Sequence, residues 1–262
     1  MTATEQPDDD VTAMLRDSLR GFLDEHWRPR GAMALSSPDE ISAIWRKLVG
    51  QGVAALGAQG DEGGLAEILV VMAELGRAGC PAPMWSAALA NLAISGSQSD
   101  VVTDLLARLH SGKAIVAFSF GALDPDRGTG SIEVAINAAT GVLRCVEAAG
   151  SATHLLVALD RAHLALIELG RPGVECVATR AMGAWGLYEI RLNAAPLTRI
   201  AGGGVDLDEL RIKGKAMLTA RAYGAARRAF ELAVDYARER HQFGQPIGKF
   251  QAIQHKLANC LI

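Results

Sequence analysis

The first part of the chain places apolar residues at three- and four-residue steps, which is the period of an α-helix. One such stripe consists of Val11, Met14, Leu15, Leu19, Phe22 and Leu23. A second helix is predicted to begin at Pro38, because Ser37 can cap it and acidic residues follow in its first turn. Further helices are predicted over 65–76, after Pro83, and over 99–110. Residues 1–112 are therefore predicted to form a helical domain.

From residue 113 the period shortens towards two, and turn residues recur every few positions. Hairpin turns are expected at 138–141 and at 160–162. Short antiparallel strands in this number favour a small barrel or sandwich over 113–204. The predicted strands cover 114–120, 131–137, 142–147, 153–159, 164–169, 174–178 and 188–192.

The last part of the chain returns to a helical period after a glycine-rich joint at Gly202–Gly204. One helix is predicted from 206 to about 240, a length that requires packing in a bundle. Gly224 lies mid-helix at a cost of about 1 kcal/mol relative to alanine, which a close approach of another helix would explain. Residues 205–262 are therefore predicted to form a partial helical bundle, and the fold class is α+β.

Composition narrows the functional classes. The 262 residues are 50% hydrophobic with a formal net charge of −3, which gives no sign of nucleic-acid binding. No apolar stretch is long enough for a membrane span, and residues 1–10 lack the features of a secretion signal. Four scattered cysteines and six histidines show no metal-ligand spacing. We expect a cytoplasmic protein without a metal site.

The sequence that follows the long helix reads Arg-x-Gln-Phe-Gly-x-Pro-Ile-x-x-Phe-Gln from Arg240 to Gln251. This segment resembles the flavin-binding turn of the acyl-CoA dehydrogenase family, and Gly224 also falls where family members carry a glycine. The order of helices, strands and long helices is similar to that family too. Weaker similarity extends through 52–56, 62–64 and 74–83.

The resemblance implies α,β-dehydrogenation of an acyl-CoA thioester with FAD, followed by electron transfer to an electron-transfer flavoprotein. Arg240, Gln242, Phe243 and Gln251 are the candidate FAD contacts, and in the family the matching arginine and glutamine bind FAD of the neighbouring subunit. An arginine fork also suits a pyrophosphate on physical grounds. The plainer alternative is that Arg240 only complements the helix C-terminus and that Gly244 and Pro246 only end the helix.

The candidate chemistry is incomplete, and the catalytic residue stays unassigned. The family's glutamate base lies in most members in later helices, beyond Ile262, and in a minority at the position of Gly214. Glu209 is a weak substitute. Ser119 can still offer a hydrogen bond to a flavin, but Val146 stands where the family places an aromatic-containing segment. Trp185 is expected in the core or in an interface.

Three explanations are left open. In the first, the chain is one subunit of a homo- or heteromeric dehydrogenase, and in a heteromer it is a non-catalytic partner that completes another chain's FAD site. In the second, it is a shortened member of the family whose helical bundle is incomplete. A helix cut off from its bundle would expose an apolar face formed by Phe250, Ile253, Leu257 and Leu261. An unrelated helical interaction protein without a cofactor is the third reading.

Overall fold

The computed structural model describes residues 7–28, 36–60, 63–121, 130–179, 186–201 and 206–261. Its first part is helical. The second helix begins with a capping box, in which the Ser37 hydroxyl accepts from the Glu40 amide and the Ser37 amide donates to the Glu40 carboxylate. The helices are α1 (Pro7–His26), α2 (Pro38–Val49), α3 (Leu65–Arg77), α4 (Met84–Ile94) and α5 (Asp100–His110), with a 3-10 turn at Val53–Ala55.

Eight strands follow and form two four-stranded sheets. The first sheet has the order β1-β4-β5-β8, with β1 and β4 parallel and the other pairs antiparallel. The second sheet is fully antiparallel in the order β2-β3-β7-β6. The strands are β1 (Val116–Ser119), β2 (Gly130–Val134), β3 (Ala138–Glu147), β4 (His154–Ala158), β5 (His163–Glu168), β6 (Val174–Ala178), β7 (Leu187–Pro196) and β8 (Thr198–Ala201).

The first sheet lies between the helices and the second sheet, so it is buried on both faces. Side chains alternate along a strand, and neighbours in sequence therefore enter different cores. Leu156 and Ala158 of β4 pack among the helices, whereas Leu155 and Val157 pack against the second sheet. This explains why β4 reads as an unbroken apolar run. The helical core also includes Leu210 of the last part of the chain, so it joins residues from all three predicted units.

A helix of 33 residues, α6 (Leu207–Glu239), crosses α3 with the two backbones in contact. A β-carbon added to Gly224 would overlap the carbonyl oxygen of Ala73, and one added to Gly76 would overlap the carbonyl oxygen of Arg221. The crossing therefore requires glycine on both helices. The close approach predicted for Gly224 is confirmed.

Two strand-level predictions are wrong. Residues 138–141 do not form a hairpin turn; they begin β3, and the turn lies just before, where the Ala135 amide donates to the Ala138 carbonyl. Gly141 has a φ of 142° inside the strand and marks an irregular register with β7 instead of a turn. The β1–β4 pair is parallel, although only antiparallel pairs were expected.

Other local predictions have clear outcomes. The turn at 160–162 is confirmed, because the Asp160 carboxylate accepts from the amides of Ala162 and His163 between β4 and β5. The predictions that Gly202–Gly204 form a joint and that Trp185 lies in the core or in an interface concern residues outside the described part of the chain. Across the described part of the chain, no helix combines the length and the apolar character that a membrane span requires.

Candidate functional site

The segment Arg240–Pro246 forms a two-residue β-hairpin at the end of α6. Its strands are β9 (His241–Gln242) and β10 (Gln245–Pro246), and the Ile247 amide donates to the Arg240 carbonyl, which ties the base of the hairpin. Phe243 and Gly244 form the turn with φ values of 52° and 79°. Positive φ at both positions matches the twist of a tight hairpin. The sequence predicted a turn at the end of the helix here, but not the paired strands of a hairpin.

Phe243 combines an exposed apolar side chain with an unfavourable backbone conformation. Its side chain is 93% exposed, and its backbone adopts a left-handed conformation that costs an L-residue about 1–2 kcal/mol. Its one aromatic contact is an edge-on approach to Phe250, with ring centroids 6.1 Å apart. Residues held in such conformations concentrate at functional sites. An exposed apolar ring in a strained turn therefore makes Phe243 a candidate for contact with another molecule.

The other three candidate FAD contacts also face outwards. Arg240 caps α6, donates its amide to the Tyr236 carbonyl and forms no ion pair within the described part of the chain. Gln242 is exposed on β9, and Gln251 is exposed at the start of α7 (Gln251–Leu261). A 3-10 turn at Ile247–Lys249 joins the hairpin to α7. The hairpin thus places two amides, a guanidinium and a ring near a helix N-terminus, where free backbone N–H groups favour an anion.

The apolar face predicted for α7 is partly covered. Phe250, Ile253 and Leu257 are half-buried, because α7 packs against α6, while the side chain of Leu261 lies outside the described residues. The exposed apolar surface lies on α6 itself. Leu218, Leu232 and Tyr236 are 43%, 52% and 59% exposed on one side of that helix.

The position of the minority glutamate, Gly214, lies in an aromatic corner between α4, β1 and α6. The Trp85 indole donates to the Gly214 carbonyl at 2.9 Å. A β-carbon at Gly214 would meet Trp85, Leu89 and Phe120 at 3.4–3.6 Å, which are ordinary contacts. Phe118 and Phe120 pack at 4.9 Å between centroids beside Trp85. The site therefore has room for a small side chain and presents no carboxylate of its own.

Glu209 does not replace that base. It lies in the first turn of α6, is exposed, and pairs with Lys213 at 2.8 Å. Its exposed carboxylate therefore lies outside the aromatic corner. The weak alternative raised by the sequence gains no support.

The strand positions predicted to lie near a flavin ring differ in whether they offer a polar group. Ser119 ends β1, is 8% exposed, and its hydroxyl oxygen accepts from the Gly121 amide at 3.2 Å. Val146 is 2% exposed and packs in the core between the sheets. Arg144 is directed to solvent and pairs with Glu189 at 3.2 Å. Within this part of the structure, Ser119 offers a polar group, whereas Val146 offers none.

A buried ion pair joins α6 to the second sheet and was not predicted. The Arg221 guanidinium donates to the Glu147 carboxylate at 2.6 Å and to the Cys80 carbonyl at 2.9 Å. Both side chains are almost fully buried, at 2% and 9% exposure. Burial also raises the pKa of the neighbouring Cys80 thiol to about 12. The only sequence signal was an arginine among the small and apolar residues of a helix stripe.

The four predicted FAD residues lie together at the surface, away from the chain's own core. All four are exposed and grouped around one hairpin, so FAD held by them would lie outside this chain's own core. The predicted ring contacts near Val146 are apolar and buried. The structure therefore brings the hairpin residues together and separates them from the Gly214 corner, since Gly214 lies on α6 26 residues before Arg240.

Comparisons with known proteins agree with this architecture. Residues 202–262 match the model of the acyl-CoA dehydrogenase C-terminal domain. The chain is 30% identical over 259 residues to the acyl-CoA dehydrogenase IpdE2 of Mycobacterium tuberculosis, covering 95% of this chain and 70% of that protein. Two further relatives, the acyl-CoA dehydrogenases FadE34 of Mycobacterium tuberculosis and IpdE2 of Mycolicibacterium smegmatis, are 28% and 26% identical, and the chain covers 32% and 71% of their length.

Solved structures share the fold. The ChsE4-ChsE5 complex from Mycobacterium tuberculosis aligns with a TM-score of 0.72 and 23% identity, covering 99% of this chain and 74% of that one. A glutaryl-CoA dehydrogenase from Mycobacterium smegmatis in complex with FADH2 aligns with a TM-score of 0.69 and 18% identity, covering 97% and 71%. The predicted α+β architecture is confirmed. By its similarity to IpdE2 along nearly its whole length, the chain belongs to the acyl-CoA dehydrogenase family.

Proposed function

We propose that this chain is a subunit of an acyl-CoA dehydrogenase and contributes Arg240, Gln242, Phe243 and Gln251 to a FAD site formed with a neighbouring chain. The observation that carries the proposal is the hairpin, whose four candidate residues all face solvent while Phe243 is 93% exposed. A site built only for this chain's own core would turn these groups inwards.

Each side chain has a separate task at that edge. Arg240 can bind two phosphate oxygens with its guanidinium fork, and the N-terminus of α7 adds backbone N–H groups that favour the same charge. Phe243 offers a flat apolar face, and the amides of Gln242 and Gln251 can donate and accept. Bound FAD supplies the acceptor for the hydride that leaves the acyl β-carbon.

The assembly as a whole is proposed to carry out α,β-dehydrogenation of an acyl-CoA thioester in the cytoplasm, with an electron-transfer flavoprotein as the oxidant of its flavin. A heteromeric assembly is the preferred form. Gly214 provides no carboxylate in the aromatic corner, and Val146 provides no polar contact for a flavin ring. The name of the ChsE4-ChsE5 complex gives a precedent within the same fold.

Co-expression tests the proposal. The protein would be purified alone and together with an acyl-CoA dehydrogenase encoded beside it, and FAD would be measured by its absorbance. We expect a colourless protein alone and a yellow complex with a partner. We expect Arg240→Ala to reduce the FAD content of the complex by about tenfold or more, since one charge-assisted phosphate contact is lost.

Arg238→Ala is the matched control, because Arg238 is an exposed arginine two residues away that pairs with Asp235. Equal FAD content in the Arg240 and Arg238 variants would refute the assigned role of the hairpin. A protein that is yellow alone and bleaches on addition of an acyl-CoA would instead establish a dehydrogenase that acts as a homomer.

A further inference from the structure

A cleft of about 470 Å³ lies between α1, α3 and α6, on the side of the α3–α6 crossing that faces α1. Four arginines line it, two from α1 (Arg16, Arg20), one from α3 (Arg77) and one from α6 (Arg227). Glu74 and Glu231 are its acidic residues. We call this set of six residues and the space between them the arginine cleft. Its volume lies in the range of small-molecule sites.

The arginines outnumber the carboxylates that neutralise them. Arg20 holds Glu74 with two hydrogen bonds of 2.9 and 2.7 Å, which also raises the pKa of that guanidinium. Arg77 pairs with Glu231 at 2.8 Å, and Arg227 shares the same carboxylate at 3.5 Å. Arg16 forms no ion pair with any described residue. The cleft therefore carries a surplus of two positive charges.

One donor in the cleft wall has no acceptor. The Nε of Arg77 is buried and makes no hydrogen bond among the described residues, although the end of the same side chain binds Glu231. A buried N–H without a partner costs about 1–3 kcal/mol, and native structures normally satisfy such groups. That Nε is closed off from the cleft, so an oxygen-bearing anion bound there would instead meet the exposed guanidinium groups of Arg16 and Arg227 and offset the surplus charge.

The rest of the lining is apolar and includes one ring. Ala73 and Ala220 form the floor beside the glycine crossing, and Tyr223 is 62% exposed at the rim. A tyrosine face beside a cluster of guanidinium groups suits a ligand that joins a phosphate to a flat ring. A purely acidic peptide would leave the apolar floor without a contact.

We propose that the arginine cleft binds a nucleotide, with its phosphates at Arg16, Arg77 and Arg227 and its base against Tyr223. This site lies apart from the four hairpin residues of the proposed FAD edge, and the proposal does not depend on that function. It assigns a ligand class to a face of the molecule that the flavin hypothesis leaves unused.

Calorimetry on the full 262-residue protein tests it, with ADP, pyrophosphate and adenosine as probes. We expect saturable binding of ADP and weaker binding of pyrophosphate and of adenosine. The double variant Arg16→Gln/Arg227→Gln should lose about tenfold or more of the ADP affinity, because two charge-assisted contacts disappear. Tyr223→Ala should weaken ADP but leave pyrophosphate unchanged.

Arg46→Gln/Arg199→Gln is the control, since it removes the same charge from surface arginines that contact only backbone carbonyls. Arg240→Ala separates the two sites, because ADP could also reach the hairpin. The proposal is overturned by no ADP binding, by an equal loss in the control pair, or by binding that depends on Arg240 and not on Arg16 and Arg227. Circular dichroism of each variant confirms the fold.

Discussion

The two ends of α6 differ in how far the rest of the chain buries them. From Leu207 to Gly224 the helix buries a continuous face, crosses α3 in backbone contact and holds the Arg221–Glu147 pair out of water. Beyond Gly224 it exposes Leu232 and Tyr236, and it ends in a hairpin whose tip is a strained, exposed phenylalanine. The first end packs one full face within its own chain, although Leu218 and Tyr223 on its outer side are 43% and 62% exposed. The second end leaves groups for another molecule.

This difference separates stability from function along one element. Substitutions at the inner end should change the free energy of unfolding, because they act on packed or paired groups. Substitutions at the hairpin should change what the protein binds with little loss of stability. The following variants test that separation, beginning with the largest effect.

Glu147→Ala should destabilise the fold by about 3–5 kcal/mol, because it leaves the Arg221 guanidinium buried without its carboxylate. Denaturant titration followed by circular dichroism measures the change. Glu189→Ala is the control: its carboxylate pairs with two exposed arginines, Arg144 at 3.2 Å and Arg191 at 2.9 Å, and each such exposed pair contributes about 1 kcal/mol or less. Similar losses in both variants would show that the buried pair has no special role at the inner end.

Gly224→Ala should destabilise by about 1–3 kcal/mol or more, because the added methyl group overlaps the Ala73 carbonyl and forces α3 and α6 apart. Gly214→Ala on the same helix should be neutral or stabilising by up to about 1 kcal/mol, since its methyl group meets only ordinary contacts. Thermal unfolding of the pair gives the comparison. Opposite signs are expected, and equal midpoints would contradict the close crossing.

Phe243→Asn should have the smallest effect on stability, a gain of about 0.5–1 kcal/mol, because asparagine tolerates the left-handed conformation better. The same change should lower the FAD content of the co-expressed complex. Ala194→Asn is the control, since Ala194 is an exposed residue with a φ of 47° far from the hairpin in sequence. A gain in stability without loss of FAD in Phe243→Asn would remove Phe243 from the proposed site.

Much of the fold could be predicted because its signals are local. The apolar stripe and acidic start of α6 gave bounds of 206 to about 240, against Leu207–Glu239 in the structure. The Ser37 cap and the Asp160 turn depend on hydrogen bonds within three residues and were also found. The parallel β1–β4 pair was missed, because pairing between strands 38 residues apart leaves no local pattern. Gly141 misled the prediction, since a strand irregularity and a turn both favour glycine.

The candidate site divides in the same way. The ordered string from Arg240 to Gln251 identified the hairpin residues, and their contact with FAD stays a prediction. The hairpin geometry itself was not foreseen, because Phe243 in a left-handed turn contradicts its intrinsic preference. The Arg221–Glu147 pair was also missed, because nothing near either residue in sequence shows that the fold brings together two positions 74 apart.

The close crossing of α3 and α6 also determines where the hairpin at the end of α6 lies. The two backbones are in contact at Gly224, which fixes the position of α6 there. From that residue α6 continues as an uninterrupted helix for roughly 24 Å to Arg240. A change of about 5° in the angle between α6 and α3 at Gly224 would displace the hairpin by roughly 2 Å. A shift of that size is enough to change whether a bound cofactor is held in reacting geometry. A methyl group at Gly224 would therefore also displace the hairpin at the end of α6.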